Sequence, residues 1–323
     1  MAKLLTVGLP VYNSMPYLPE AMESLLAQTS KDFNILAIVD DCTDGSVEYM
    51  ESIRDPRLRI IRQPKSGLTP TLNRMLRELD TPWLVRQDTD DVSYPNRIER
   101  LLEYVQQYPD AGLFYSIADY HPKDQCVGQF RCTRGTPEEL RKLVKAGYLL
   151  TLCHTSVALN AEKALAVGGY RKEVYVEDAD MWWRMALEYD IRFIPETLVG
   201  FRHNPHQSTS RFMLPQMVHG LYVQYLLLSK LWSLEAQSAD RIESKLESMI
   251  SSRDMKAKSQ LREFNIRLSQ KRYLPAVSAA LQSFLSSPSF FTHRVFEEFQ
   301  LSGAITNGVN PKLYLNRKAE FWP

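Results

Sequence analysis

The sequence predicts an α/β protein: a mostly parallel sheet flanked by helices, followed by a C-terminal helical region. Three observations carry that expectation. Strand-like and helix-like stretches alternate five times within the first 116 residues, the pattern of a doubly wound parallel sheet. The stretch from Phe33 to Val39 is almost wholly apolar, as a strand covered on both faces must be. From Arg211 onward the periodicity is helical, and no glycine falls between Gly220 and Gly303.

Each element has its own local reason. Leu4 to Leu9 reads as a strand ended by Pro10. Pro16 to Gln28 places Leu18, Ala21, Met22, Leu25 and Leu26 on one helical face. Phe33 to Val39 is the second strand. Asp44-Gly45-Ser46 then opens a helix reaching about Ile53, and Leu58 to Ile61 is the third strand. Gly67 to Leu79 is a helix, Trp83 to Val85 a strand, and Pro95 to Gln107 a helix with proline near its first turn. Gly112 to Ser116 closes the alternation. Residues 117–135 read as an irregular or antiparallel excursion. Thr136-Pro137-Glu138-Glu139 is a helix start, with Thr136 as N-cap and Pro137 at the first helical position. His154 to Leu159 is strand-like, Glu177 to Tyr189 helical, and Ile191 to Phe201 reads as two short strands. A boundary near Ser210 divides residues 1–210, themselves split at 116, from residues 211–323.

The 323 residues are 44% hydrophobic, enough for a sizeable core. A net charge of +1 argues against a dedicated nucleic-acid binder. The charge is uneven: 15 Lys+Arg against 9 Asp+Glu from Arg211 onward, and 24 against 29 before it. The basic C-terminal part fits an anionic partner or membrane surface. The short apolar run at the N-terminus reads as the lead into a strand, not as a signal peptide. No run approaches the roughly 18 apolar residues of a membrane span. Cys42, Cys126, Cys132 and Cys153 lack metal-site spacing and are expected as reduced thiols in the cytoplasm.

The chain is organised around Gln87-Asp88-Thr89-Asp90-Asp91, three carboxylates in four positions where a strand ends. In isolation such a run reads as a solvated loop. In a parallel sheet, however, ligands bind beyond the carboxyl ends of the strands. Right-handed crossovers bring the loops after Leu9, Val39 and Val85 to one edge. Pro10-Val11-Tyr12-Asn13, Asp40-Asp41 and Asp88 to Asp91 therefore meet there, and clustered carboxylates invite a cation.

Five motifs follow in order: Pro10-Val11-Tyr12-Asn13; Val39-Asp40-Asp41 with Asp44-Gly45-Ser46; Asp88-x-Asp90-Asp91 with Pro95-x-Arg97; Gly168-Gly169-Tyr170; and Glu177-Asp178-x-Asp180-x-Trp182-x-Arg184. Over roughly residues 4–210 the chain thus resembles family 2 glycosyltransferases, inverting enzymes with the Rossmann-like GT-A fold. The likeness is to the bacterial branch that builds capsular polysaccharide, exopolysaccharide or lipopolysaccharide. It implies a catalytic domain at 1–210, with residues 1–116 as nucleotide-sugar half and 117–210 as acceptor half. It implies a nucleotide-sugar donor, expected to be a UDP-sugar, a glycan or lipid-linked acceptor, and Mn²⁺ or Mg²⁺.

The resemblance assigns roles residue by residue. Asp90 is the expected metal ligand, with Asp88 on the ribose or on the metal through water. Asp40 and Asp41 are expected at the base or ribose, the division between them open. The turn that follows is one residue shorter than the family pattern, with Cys42 at its usual glycine. Pro10, Tyr12 and Asn13 would line the nucleoside pocket, with Gly67 and Asn73 beside it. Arg86 would offset the acidic run or meet the diphosphate; Arg97 reads as a brace for the loop. Asp178 is the expected base, with Glu177, Trp182 or Trp183, Arg184 and His154 on the acceptor side. His203, ahead of His206, is the candidate third metal ligand. The rivals are a sugar-nucleotide nucleotidyltransferase and a non-catalytic glycan or nucleotide-sugar binder. The first would want a glycine-rich basic loop after the first strand, where Pro10 to Asn13 stands. The second would want the carboxylates lost. The C-terminal region, with Trp232, Phe290-Phe291 and Trp322, fits docking at the inner membrane face or pairing with a second copy.

Overall fold

The computed structural model describes residues 3–121, 128–202, 213–300 and 310–322. These form two compact units. The first takes residues 3–121, 152–172 and 184–202; the second takes 128–151, 173–183, 213–300 and 310–322.

The first unit is an α/β layer structure on one eight-stranded sheet of order β3-β2-β1-β4-β7-β6-β8-β5. Its strands are β1 (Leu5–Val11), β2 (Asn34–Val39), β3 (Leu58–Arg62), β4 (Trp83–Arg86), β5 (Val92–Ser93), β6 (Leu113–His121), β7 (Val157–Asn160) and β8 (Ile191–Arg202). The alternation works as the composition predicts. β1, β2, β3 and β4 are parallel neighbours, joined through α1 (Leu18–Leu26), α2 (Ser46–Ser52) and α3 (Leu68–Glu78). Leu5, Val7, Leu9 and Val11, and every residue from Ile35 to Val39, are buried, because helices cover both faces of a parallel sheet. β3 lies at the edge and turns Arg59 and Arg62 outward, blunting it against further pairing.

β1 runs through Pro10 to Val11, β6 continues to His121, and His154–Ser156 is a single 3-10 turn before β7. Three larger details also differ from the sequence expectation. The fifth strand, β6, does not join the parallel set directly. β7 lies between β4 and β6 and is antiparallel to both. Next, α4 (Arg97–Gln107) starts two residues after Pro95. Val92 and Ser93 pair with β8, and Tyr94 donates to Leu198 O at 2.9 Å, so the chain stays extended to that point. Finally, Ile191 to Arg202 is one strand, not two. Its register with β6 slips past Pro195 and Glu196, a bulge that accommodates a proline without an N–H.

The second unit is helical. Thr136 caps α5 (Pro137–Lys145), its Oγ1 accepting from Glu139 N while Glu139 Oε2 accepts from Thr136 N, a full capping box. The further helices are Met213–Leu231, Ala239–Glu247, Ser252–Ser269, Tyr273–Ser286, Pro288–Gln300, Lys312–Asn316 and Lys318–Phe321. Aromatic packing ties the last of these to the first: Trp322 stacks on Tyr225 at 4.7 Å and meets Trp232 at 5.3 Å. Tyr314 donates to Leu221 O at 2.8 Å. Among the described residues no helix is long and apolar enough to cross a membrane, and Cys42, Cys132 and Cys153 are free thiols.

Candidate active site

Because β1, β2 and β4 are parallel neighbours, their carboxyl ends share one edge of the sheet. The loops after them carry Tyr12 and Asn13, Asp40 and Asp41, and the acidic run.

The acidic loop is held from beneath by buried polar groups. Gln87 donates to the carbonyls of Asp88 at 2.9 Å and Asp91 at 2.8 Å. Its Oε1 accepts from Arg97 Nη1 at 2.9 Å and from Ser93 Oγ at 2.7 Å. Arg97 is fully buried, and its Nη2 donates to Arg86 O at 2.8 Å and Thr155 O at 2.5 Å. It is the brace that the spacing suggested, and burial lowers its pKa to about 10. From above, Arg202 N–H donates to Asp91 Oδ1 and Arg202 Nε to Asp90 O, each at 2.8 Å. Thr89 Oγ1 links to Ser14 Oγ of the β1–α1 loop at 2.8 Å.

The three carboxylates differ in environment. Arg86, itself buried, pairs with Asp88 Oδ1 at 2.5 Å. Burial pushes the Asp88 carboxyl up, but the Arg86 guanidinium, with smaller contributions from His154 and Arg97, brings the group below the usual range. Asp91 is buried, and burial with repulsion from Asp90 and Asp88 raises it well above that range. Asp90 stands half-buried between them.

Next to this pair sits His154. Its Nε2 lies 3.2 Å from Arg86 Nε and 3.2 Å from Tyr170 Oη. Burial and the Arg86 charge push its pKa down to about 3, so the ring is neutral. Tyr170 belongs to the Gly168-Gly169-Tyr170 turn, which two expected site residues grip. Asn73 donates to Tyr170 O at 2.7 Å and accepts from Tyr170 N at 2.8 Å. Arg184 donates to Val167 O at 2.6 Å and Gly169 O at 2.7 Å. Gly169 has φ +66°, and a Cβ there would lie 2.6 Å from Asn73 Oδ1, so glycine is required. Asn73 and Arg184 are thus braces of this turn, which carries Tyr170 to His154.

The geometry separates Asp40 from Asp41. Asp40 is buried, with Oδ1 accepting from Gln63 Nε2 at 2.5 Å and Oδ2 from the N–H groups of Ser66 and Gly67 at 3.1 and 3.0 Å. Asp41 is exposed. Tyr12 is 44% exposed; its hydroxyl accepts from Lys65 Nζ at 2.6 Å, and the ammonium lies 4.5 Å from the ring centroid. Asn13 Oδ1 accepts from Thr43 N at 2.8 Å, and Pro10 lies within β1. Lys65 was missed from sequence; its signal was a cation three residues past the third strand, beyond Gln63-Pro64.

In the second unit, Glu177 and Asp178 open helix Glu177–Glu188, whose residues from Arg184 belong to the first unit. Asp178 is half-buried and its Oδ1 accepts from Ala179 N at 2.7 Å. Glu177 is buried. Trp182 and Trp183 are both buried as well, so neither offers the exposed ring of a sugar platform. His203 and His206 lie outside the described residues.

Residues 6–158 match the family model described as Glycosyl transferase family 2. That segment is a glycosyltransferase family 2 domain. This transferase is 23% identical over 192 residues to the amylovoran biosynthesis glycosyltransferase AmsE of Erwinia amylovora, covering 57% of this chain and 70% of that one. Among solved structures it is similar to Staphylococcus aureus TarS in complex with UDP-GlcNAc, with TM-score 0.56, 14% identity, and coverage of 88% of this chain and 92% of that one. It is also similar to the mannosyltransferase PcManGT of Pyrobaculum calidifontis in complex with GDP-Man and Mn²⁺, with TM-score 0.53, 14% identity, and coverage of 92% and 80%. At this identity the likeness shows the fold, that of the GT-A glycosyltransferases.

Proposed function

We propose that this glycosyltransferase is metal-dependent and inverting, and moves a sugar from a UDP-sugar to a hydroxyl of a glycan or lipid-linked acceptor in cell-surface polysaccharide biosynthesis. The observation that carries the proposal is the braced acidic loop, set at the edge that Tyr12 and Asp41 share. Residues 1–210 would be the catalytic part, with 1–116 as donor half and 117–210 as acceptor half. The Erwinia relative supports the polysaccharide setting through its name. A lipid-linked acceptor would be met at the inner face of the membrane.

The donor set fits a divalent cation. It consists of carboxylate oxygens, which Mg²⁺ and Mn²⁺ prefer. Burial is the main reason Asp91 is raised; the like charges of Asp90 and Asp88 that add to it are what such an ion would offset. Asp90 would hold it, aided by Asp88 and, as the resemblance implies, His203. Among the described residues no group of three or more His, Cys, Asp or Glu is arranged to hold an ion, so diphosphate oxygens would complete the shell. When bound, the ion supplies positive charge opposite the leaving nucleoside diphosphate.

The chain's own residues would do the rest. Tyr12 offers an exposed ring for the base to stack on. Asp41 would accept a hydrogen bond from the uracil ring N–H, while Asp40 keeps the Ser66-Gly67 backbone in place. Asp178 would take the proton of the acceptor hydroxyl as that oxygen attacks the anomeric carbon. The carbon–oxygen bond to the diphosphate breaks on the opposite face, and the configuration inverts. Asp178→Asn is expected to abolish transfer while donor affinity stays within about twofold, since only the proton acceptor is removed. Full turnover by that variant would sink the assignment, and a retained anomeric configuration by NMR would sink inversion.

A further inference from the structure

Helix Tyr273–Ser286 is built inside out. Its buried residues are small: Ala276, Ala279 and Ser283, with Ser283 donating to Ala257 O of helix Ser252–Ser269 at 2.8 Å. Its large apolar residues face away. Leu274 is 86% exposed, Leu285 70%, Val277 64%, Tyr273 62% and Leu281 56%. Positions 274, 277, 281 and 285 recur at helical spacing, so these side chains form one stripe opposite the small face. No Asp, Glu, Lys or Arg occurs from 273 to 286. A soluble helix normally turns such a stripe inward, and contiguous exposed apolar surface marks an interaction site.

Charge identifies the partner. Residues 252–286 hold seven Lys or Arg against two Asp or Glu. Lys271 and Arg272, immediately before the helix, are exposed. Burial chiefly, and then the charges of Arg294 and Arg262, push the Lys258 ammonium down to about 8, so three cations lie within reach of one another. A second copy of this chain would bring the same positive field against itself. An anionic bilayer surface would not. The helix has 14 residues, short of the roughly 20 that span a bilayer but suited to lying in its interface. The tryptophans that the sequence singled out, Trp232 and Trp322, pack on each other and are not needed for this surface.

We propose that the exposed face of helix Tyr273–Ser286, with Lys271 and Arg272 at its start, docks this protein on an anionic phospholipid surface. Leu274, Val277, Leu281 and Leu285 enter the acyl boundary while the cations meet headgroup phosphates. The proposal extends the membrane location given above but stands on this surface alone. Its test reads lipid binding, so its failure would leave the glycosyl-transfer reading intact.

The full-length protein is co-sedimented with vesicles of phosphatidylcholine, and of phosphatidylcholine and phosphatidylglycerol in equal parts. Binding is expected to the anionic vesicles, at least roughly tenfold stronger than to the neutral ones, and to weaken with salt. The triple variant Leu274→Gln, Leu281→Gln, Leu285→Gln should lose at least about tenfold in partitioning at an unchanged melting temperature, as should Lys271→Glu with Arg272→Glu. Val277→Trp should show a blue-shifted emission on the anionic vesicles only. Equal binding by wild type and triple variant, or no binding at all, would overturn the proposal. So would sedimentation equilibrium that finds a dimer lost in the triple variant without vesicle binding, which would make the face a contact between copies.

Discussion

His154 carries the most readable electrostatic consequence in the structure. Held neutral beside Arg86, it keeps its proton off down to about pH 3, whereas in the unfolded chain it protonates near 6.5. The folded state therefore binds fewer protons than the unfolded one between those values, and stability falls as the pH drops through that window. Denaturant unfolding at pH 7 and pH 5 should reveal it. Wild type is expected to lose about 2 kcal/mol more than His154→Gln over that interval, at about 1.4 kcal/mol per unit. An equal loss in both proteins would contradict the neutral buried ring. At this scale the sequence was legible in type but not in assignment. Asp40 and Asp41 are the same residue side by side, and only burial separates the one that holds backbone from the one that faces solvent. Asn73 and Arg184 stood out through motif spacing, yet what the spacing encodes in the folded unit is a grip on the 167–170 turn.

Among the elements, those with a strong local signal came out as written. The capping box at Thr136 is such a case, because both of its hydrogen bonds are made within four residues. Thr136→Ala should cost about 1 kcal/mol, while Thr136→Ser should cost little; thermal unfolding of the two variants measures the difference. Elements defined by distant partners were less legible. The position of β7 between β4 and β6 depends on pairing across more than 40 residues, for which local composition holds no record. β5 is two residues long and exists only through β8. Pro195 made one strand look like two, since a bulge and a strand end share the same residue signature.

For the whole molecule, the sheet edge sets the expectation for ligands. A donor that binds only the folded state raises its melting temperature. A nucleotide-sugar at about 100 times its Kd would stabilise by about 2.7 kcal/mol. A thermal-shift screen should find a UDP-sugar that stabilises with Mn²⁺ and loses most of that effect with chelator or in Asp90→Asn. Stabilisation indifferent to both would remove the ion from the donor site. The alternation of strand and helix made this edge visible from sequence. The second unit's inner packing was not, because helical periodicity announces a buried face without naming what covers it, and in helix Tyr273–Ser286 the faces are exchanged.

The clasp of Arg202 on Asp91 and Asp90 has a consequence for the order in which the ribosome delivers the parts. The carboxylates emerge first, and the backbone N–H that donates to Asp91 follows 111 residues later. Arg97 likewise waits for the carbonyl of Thr155, 58 residues downstream. A nascent chain cut at residue 158 would hold every aspartate of the loop and the whole family-matched segment. It would still lack the strand that β5 pairs with. The acidic loop is thus among the early pieces of the first unit to be synthesised and among the last of that unit to be fastened.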